Sequence, residues 1–293
     1  MLFRSEIELL AEEWARTRLP TRPANSHKGT FGRTMVVAGS RNYLGAAYLA
    51  ATSATRVGSG LVTLAIPESL TTAVAAKAIE PTFLPLPESA PGIVSPDAVD
   101  LVFESLPAYS SLLVGCGMGQ EKDTKRFIER LLLSGRTLPP TVVDADGLNT
   151  LSQVDYWWTR LADNAILTPH PGEMGRLTGN SSRNQDRITA ATSAASRWNK
   201  TVILKGAYTV IAFPDGRAMV SPLSNPGLAT AGTGDVLAGA IAGLVSQALP
   251  LADASSLGVY PPGLARRRAS LGPYLACLSK TPPLIDPDFT RHP

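Results

Sequence analysis

Residues 225–239 read NPGLATAGTGDVLAG, and two kinds of chemistry meet in that run. Gly232, Thr233 and Gly234 form a small-residue loop of the kind that brings backbone N–H groups up to an anion. Asp235 follows at once, a carboxylate that would repel that anion. From there Val236, Leu237, Ala240, Ile241, Leu244 and Val245 recur at helical spacing, so a helix is expected from about Gly234 or Asp235. Its first amides lack intrahelical partners, and the helix dipole favours negative charge beside them. Asp235 then has two readings. Asp is a favoured helix cap. Alternatively, it takes a proton from a hydroxyl that attacks phosphorus, while the amides hold the transferring phosphoryl group. On the second reading the acid and the anion hole act on different reactants. Ala238-Gly239 and Ala242-Gly243 thin one side of the helix and are expected to let its backbone lie close to a sheet. No GxxxxGK[ST] or GxGxxG occurs, so this is neither a Walker loop nor a dinucleotide fingerprint.

Other residues invite a role. Asp144 and Asp146 in TVVDADGLN (141–149) are the best paired acids. They could organise Mg²⁺ through waters, since that ion keeps much of its hydration shell; otherwise Asp146 caps a short helix from Gly147, with Asn149 near enough to join either role. His170 stands after a strand, between Pro169 and Pro171. A lone histidine is most often structural, but this setting favours a ligand contact. Glu173 either orders water around Mg²⁺ or serves as a first-turn acid. Lys205, followed by Gly206, is either a phosphate contact or a strand-end lysine before a turn.

These residues need a frame to bring them together. Short β-rich runs alternate with helical patterns, which predicts a layered α/β domain with a mostly parallel sheet. TMVVAGS (34–40), LVTLAIP (61–67), SLLVGCGMG (111–119), TVVDADGLN and AILTPHPGEM (165–174) each contain a strand, and GAAYLAATSATRVGSG (45–60) is a small-residue helix. TVILKGAYTVIAFPDGRAMV (201–220) reads as a strand, a turn and a hairpin around Asp215-Gly216, and Pro85 to Pro96 as a surface loop. Most of the polar and glycine clusters therefore fall just after a strand, where open α/β sheets bind ligands. The 293 residues are 44% hydrophobic, enough for a substantial core. A net charge of +3 with scattered arginines argues against a nucleic-acid surface. Two cysteines and three histidines argue against a disulfide framework or a structural zinc site, and point to a reducing, cytoplasmic setting. No apolar run has the length of a membrane span.

Taken together, HKGTFGRTMVVAGSRNYLGAA (27–47), VGCGMGQ (114–120), VVDADGLN (142–149), LTPHPGEM (167–174), LKGAYTV (204–210) and NPGLATAGTGDVLAGAIAGL (225–244) resemble the ADP-dependent NAD(P)H-hydrate dehydratases. The resemblance covers about residues 20 to 260 in the family's order. It implies a ribokinase-like α/β fold, with a mostly parallel central sheet of about eight or more strands and helices on both faces. It also implies a reaction: a hydroxyl at C6 of hydrated NADH or NADPH, NAD(P)HX, is phosphorylated by ADP, or by ATP, with Mg²⁺. Phosphate is then eliminated to restore the dihydropyridine. Asp235 would be the base, with Gly232, Thr233 and Gly234 as the anion hole. Gly45, Ala46, Gly117, Gly119 and His170 would contact the hydrate. Lys205, Gly206, Ala207, Tyr208 and Thr209 would bind the nucleotide together with Thr233 and Gly234; Asp144, Asp146 and Glu173 would hold Mg²⁺ through water. Lys28 and Gly29 would border the substrate phosphates. The family's usual Gly-Pro-Gly-Leu-Gly is changed here by Cys116 and Met118, but the glycines are kept. Related sugar kinases read Asn-x-x-Glu where this chain has His170-x-x-Glu173, which favours the dehydratase branch.

Residues 1–24 are expected to be a lead or linker remnant with a short helix, residues 25–260 the dehydratase domain, and 261–293 its diverged tail. In that tail Pro261 and Pro262 fall where a helix interior is expected, at about 3 kcal/mol each. The resemblance further implies a separate or fused NAD(P)H-hydrate epimerase as partner and a homo-oligomer, by likeness a tetramer. The competing readings are a ribokinase-like small-molecule kinase that stops after phosphoryl transfer, and a nucleotide-binding pseudoenzyme with an altered C-terminus.

Overall fold

A computed structural model of the chain describes residues 7–179, 186–224 and 226–268. Twelve strands are formed among them: β1 Ile7–Leu9, β2 Arg33–Val37, β3 Leu61–Pro67, β4 Thr82–Leu86, β5 Glu88–Ala90, β6 Ile93–Val94, β7 Ser111–Val114, β8 Thr141–Val143, β9 Ala165–Leu167, β10 Thr201–Leu204, β11 Val210–Ala212 and β12 Ala218–Val220. The α-helices are α1 Glu12–Arg16, α2 Leu44–Arg56, α3 Thr71–Ala75, α4 Ala98–Ser105, α5 Lys122–Leu133, α6 Asp146–Leu151, α7 Pro171–Thr178, α8 Arg187–Trp198, α9 Thr233–Ser246 and α10 Leu251–Arg268.

Ten strands make one sheet in the order β1-β12-β11-β10-β9-β8-β7-β2-β3-β4. From β10 to β4 every neighbouring pair is parallel, while β10, β11 and β12 form an antiparallel meander that β1 joins in parallel. Strand periodicity divides the apolar residues between two faces. Met35, Val37, Leu112 and Val114 face one core with Phe127, Leu131, Leu148 and Trp198. Val36, Leu113, Val142 and Ile203 face the other with Ala50, Ala54, Ile241 and Leu257. Helices α4 to α8 thus cover one side, and α2, α9 and α10 the other.

Two local expectations are corrected, and a third concerns a helix that runs where it was expected. Residues 85–96 are not a plain loop: Pro85 lies in the edge strand β4, where a missing N–H is tolerated, and β5 and β6 form a small hairpin. The Glu88 carboxylate holds that hairpin by accepting from Ser69 N (3.2 Å), Ser69 Oγ (2.7 Å) and Gly92 N (3.0 Å). The glycines of α9 face α2: a Cβ on Gly239 would lie 2.1 Å from the Ala50 carbonyl oxygen, and one on Gly243 2.6 Å from that of Ala54. Helix-to-helix approach, more than helix-to-sheet approach, is what they permit. Finally, the backbone of α10 is helical through Pro261 and Pro262 to Arg268. Proline keeps a helical φ and forfeits the bond four residues back, so two prolines cost stability without dictating a stop. The tail expected at 261–293 lies outside the described residues from 269 onward.

At the N-terminus the expected short helix is the five-residue α1, preceded by β1 on the sheet edge.

Candidate active site

The parallel strands end along one edge, and α9 starts there. Gly232 caps it with φ of 90°, a conformation that suits glycine. Val236 N is the amide that returns to the Gly232 carbonyl, at 3.1 Å. Among the described residues, the amides of Gly234 and Asp235 have no protein acceptor, so two donors with the positive end of a 14-residue helix face outward.

Asp235 is the third residue of α9 and makes no capping bond. Its carboxylate instead turns toward Cys116 and Asp144: ligand atoms of the three lie within 4.8 Å of one another. Burial, followed by the charge of Asp144, pushes Asp235 up from the ordinary 3.8 to about 6, against the hydrogen bond from Cys116 and the charge of Lys205. The same neighbourhood raises the Cys116 thiol well above its usual range: burial is the main cause, with Asp144 and Asp235 adding to it. Cys116 is therefore a protonated donor here.

Lys205 directly follows β10, and its ammonium comes to the start of α9. Its Nζ donates to Asp144 Oδ1 at 2.6 Å and lies 3.7 Å from Glu173 Oε2. Burial works against the ammonium, but Asp144 and Glu173 outweigh it and hold its pKa above the ordinary 10.5. A Cβ on Gly234 would sit 3.3 Å from Nζ and 3.5 Å from Asp144 Oδ2, so the glycine lets this charge stand against the free amides. Asp144 has further partners: Oδ1 also accepts from Thr168 Oγ1 at 2.7 Å, and Cys116 Sγ is 3.9 Å from Oδ2.

Of its two expected readings, His170 takes the structural one in the fold. Its Nδ1 accepts from Gly172 N (3.0 Å) and Glu173 N (3.3 Å), and Glu173 Oε2 accepts from His170 N (2.7 Å), a reciprocal cap on α7. Nδ1 must be unprotonated for this, and burial followed by Lys205 and Arg176 lowers the pKa accordingly. The side chain remains 50% exposed and lines the cleft, with its Nε2 3.5 Å from Glu173 Oε1. Burial raises Glu173, partly offset by Lys205.

These groups line a cleft of about 680 Å³. Asp144, His170, Glu173, Lys205, Gly206, Ala207, Thr209 and residues 231–235 form its polar side; Leu223, Leu228, Leu237 and Val259 form the apolar side. Tyr208 belongs to the same turn with φ of 54°, but lies 56% exposed and outside the lining.

The remaining glycines form a second group, in the loop that carries Cys116 and at the start of α2. Gly45 and Ala46 are in the first turn of α2, and a Cβ on Gly117 would meet that of Ala46 at 2.6 Å. Ser40 Oγ donates to the Gly117 carbonyl at 2.9 Å, and Gly119 N donates to Asp146 Oδ2 at 2.8 Å. Asp146 also accepts from Gln120 Nε2 (3.0 Å) and Asn149 Nδ2 (3.3 Å). It therefore secures the glycine loop. It does not pair with Asp144, and it does not cap α6, which it begins after Ala145. Asp144, Asp146 and Glu173 do not converge on one point: among the described residues the one trio with ligand atoms within 4.8 Å is Cys116, Asp144 and Asp235. Lys28 and Gly29 lie in a short 3₁₀ turn capped by His27, outside the cleft lining.

Sequence reasoning missed the roles of Cys116, Thr168 and Arg187. The first two follow strand ends, which was the available signal. Arg187 gave none, because its partners are backbone carbonyls of a turn 17–20 residues away.

A doubly covered, mostly parallel sheet with a glycine-started helix and its acid at the carboxyl edge defines the ribokinase-like class. A ribokinase-like superfamily protein from Enterococcus faecalis shares the fold with a TM-score of 0.78 at 22% identity, over 94% of this chain and 95% of that one. Within this class the chain belongs to the NAD(P)H-hydrate dehydratase family, whose profile matches residues 34–281. It is 37% identical over 250 residues to the ADP-dependent (S)-NAD(P)H-hydrate dehydratase of Neisseria meningitidis, covering 83% of this chain and 79% of that protein. It is 43% identical over 264 residues to the bifunctional NAD(P)H-hydrate repair enzyme of Moorella thermoacetica, covering 89% of this chain but 49% of that one. The chain thus spans about half the length of the bifunctional relatives it matches. The ADP/ATP-dependent NAD(P)H-hydrate dehydratase of Bacillus subtilis, co-crystallised with ATP and Mg²⁺, superposes with a TM-score of 0.75 at 29% identity, over 94% of this chain and 97% of that one.

Proposed function

We propose that this chain dehydrates NADHX and NADPHX at the expense of ADP, with Asp235 as the base. The observation that carries the reading is the placement of the Asp235 carboxylate against Cys116 and Asp144, at the start of the helix whose first amides are free and next to the Asp144–Lys205 pair. The nucleotide would occupy the cleft, with its transferring phosphoryl group at Gly232–Gly234 and its base toward Leu223, Leu237 and Val259. The hydrate would lie across Asp235 toward Gly45, Ala46, Gly117 and Gly119, with His170 on the cleft wall.

Asp235 takes the proton of the C6 hydroxyl as its oxygen bonds to the β-phosphorus of ADP, and the bridging P–O bond breaks to release AMP. A base with a pKa near 6 is largely ionised at neutral pH yet still able to hold a proton. The amides and Lys205 stabilise charge on the phosphoryl oxygens. The C6–O bond to phosphate then breaks and the adjacent ring carbon loses a proton to water, restoring the double bond. Phosphorylation replaces hydroxide, a poor leaving group, by a good one.

The site also suits Mg²⁺ held through water. Asp144 and Glu173 present hard oxygen ligands to the cleft, and with Asp235 they set three carboxylates against one ammonium. A polyphosphate would enter such a site most favourably with a cation that offsets its charge, which is what the ion would supply. Asp146, bound to Gly119, is left out of this set. An epimerase partner and a homo-tetramer remain part of the reading by likeness to the family.

The test is to incubate the protein with NADHX, Mg²⁺ and either ADP or ATP. NADH absorbance should appear with stoichiometric phosphate and AMP when ADP is the donor. Accumulation of a stable phosphorylated product without NADH would establish a kinase instead. Nucleotide binding without any product would establish a pseudoenzyme.

A further inference from the structure

The nucleotide-side turn, residues 205–209, is held by a guanidinium from another element. Arg187 Nη2 donates to the carbonyls of Leu204 (3.0 Å) and Lys205 (3.1 Å), and Nη1 donates to that of Ala207. Three acceptors of one turn are gathered on one planar cation, a geometry that matches the fork of arginine and not the point charge of lysine. The turn is of a kind that needs such a brace. Gly206 has φ of 145° and Tyr208 φ of 54°, both outside ordinary L-residue backbone. A Cβ on Gly206 would lie 2.8 Å from Nη2, so the glycine makes room for the guanidinium.

The location of Arg187 counts against a general role in stabilising α8. It is the first residue of that helix, where the dipole disfavours a cation. Its two terminal nitrogens are committed to the turn, and its buried Nε has no partner among the described residues. With the carbonyls drawn to one side, the amides of Gly206, Ala207 and Tyr208 have no acceptor among the described residues, and Gly206 and Ala207 line the cleft.

We propose that Arg187 is a positioning residue for the nucleotide: by binding the turn's carbonyls it presents the amides of Gly206 and Ala207 to ADP. This rests on the reading of the cleft as a nucleotide site. Arg187 touches no reacting atom, so it acts on nucleotide affinity and leaves the hydrate side alone.

The experiment measures the ADP Kd by calorimetry for the wild-type chain, Arg187→Lys and Arg187→Gln, together with KM for NADHX and kcat at saturating ADP. The ADP Kd should rise at least about tenfold in both variants, because neither side chain can span three carbonyls. The NADHX KM and kcat should stay within about twofold. A Kd within about twofold of wild type in a folded variant would overturn the proposal, as would an equal rise in the NADHX KM. If Gln prevents folding, Lys decides; loss of the fold in both would assign Arg187 to stability alone and also overturn it. A wild-type chain that binds ADP but forms no NADH would sink the dehydratase reading while leaving the Kd comparison intact.

Discussion

At the scale of single residues, the raised pKa of Asp235 has two measurable consequences. As a base it must be ionised, so kcat/KM should fall about tenfold per pH unit below about pH 6. The second consequence concerns stability. The folded pKa lies above the ordinary 3.8, so the fold binds the proton more tightly than the unfolded chain does. The resulting penalty is absent below pH 3.8, grows toward pH 6 and is complete above it. Asp235→Asn should therefore raise the Tm at pH 8, by an amount equivalent to about 1–3 kcal/mol, and leave it unchanged at pH 3.5. A variant no more stable than wild type at pH 8 would show that the carboxylate is not held against its preference. His170→Ala should lose about 1 kcal/mol with the cap on α7 and raise the NADHX KM. Because the His170 pKa is lowered, the capping contribution is full above about pH 6.5 and lost as pH falls through the folded value. An unchanged KM would leave the histidine a cap alone.

At the scale of elements, the sequence showed where each group sits along its strand but not which way it turns. Gly115 to Gly119, Asp144, His170 and Lys205 all fall after parallel strands, and the structure brings them to one edge. The directions were hidden because they depend on partners distant in sequence. Asp146 turns to the Gly119 amide 27 residues away, and Lys205 crosses to Asp144 over a separation of 61. Helical spacing in α9 gave its start to within two residues, yet the glycine stripe could not declare whether helix or sheet lay against it. Gly239→Ala tests that contact. With 2.1 Å to the Ala50 carbonyl, α9 and α2 must separate, which should cost at least about 1–3 kcal/mol and lower the Tm. An unchanged Tm would mean that the two helices do not approach this closely in solution.

For the whole molecule, the site is made from opposite halves of the chain: the Gly45 and Gly117 elements on one flank of Asp235, the Lys205 turn and α9 on the other. A ligand spanning them should stabilise the fold as a unit. ADP with Mg²⁺ at a hundred times its Kd should add about 2.7 kcal/mol to unfolding stability, seen as a rise in Tm. Removing Mg²⁺ with a chelator should weaken ADP binding, because the three carboxylates then face the phosphates unscreened; equal binding with and without the ion would show that Lys205 and the amides suffice. The most direct measurement pairs ADP binding with NADH formation in Asp235→Asn. The base assignment predicts an ADP Kd within about threefold of wild type and NADH formation reduced at least about a hundredfold. Parallel loss of both, or turnover near the wild-type rate, would contradict it.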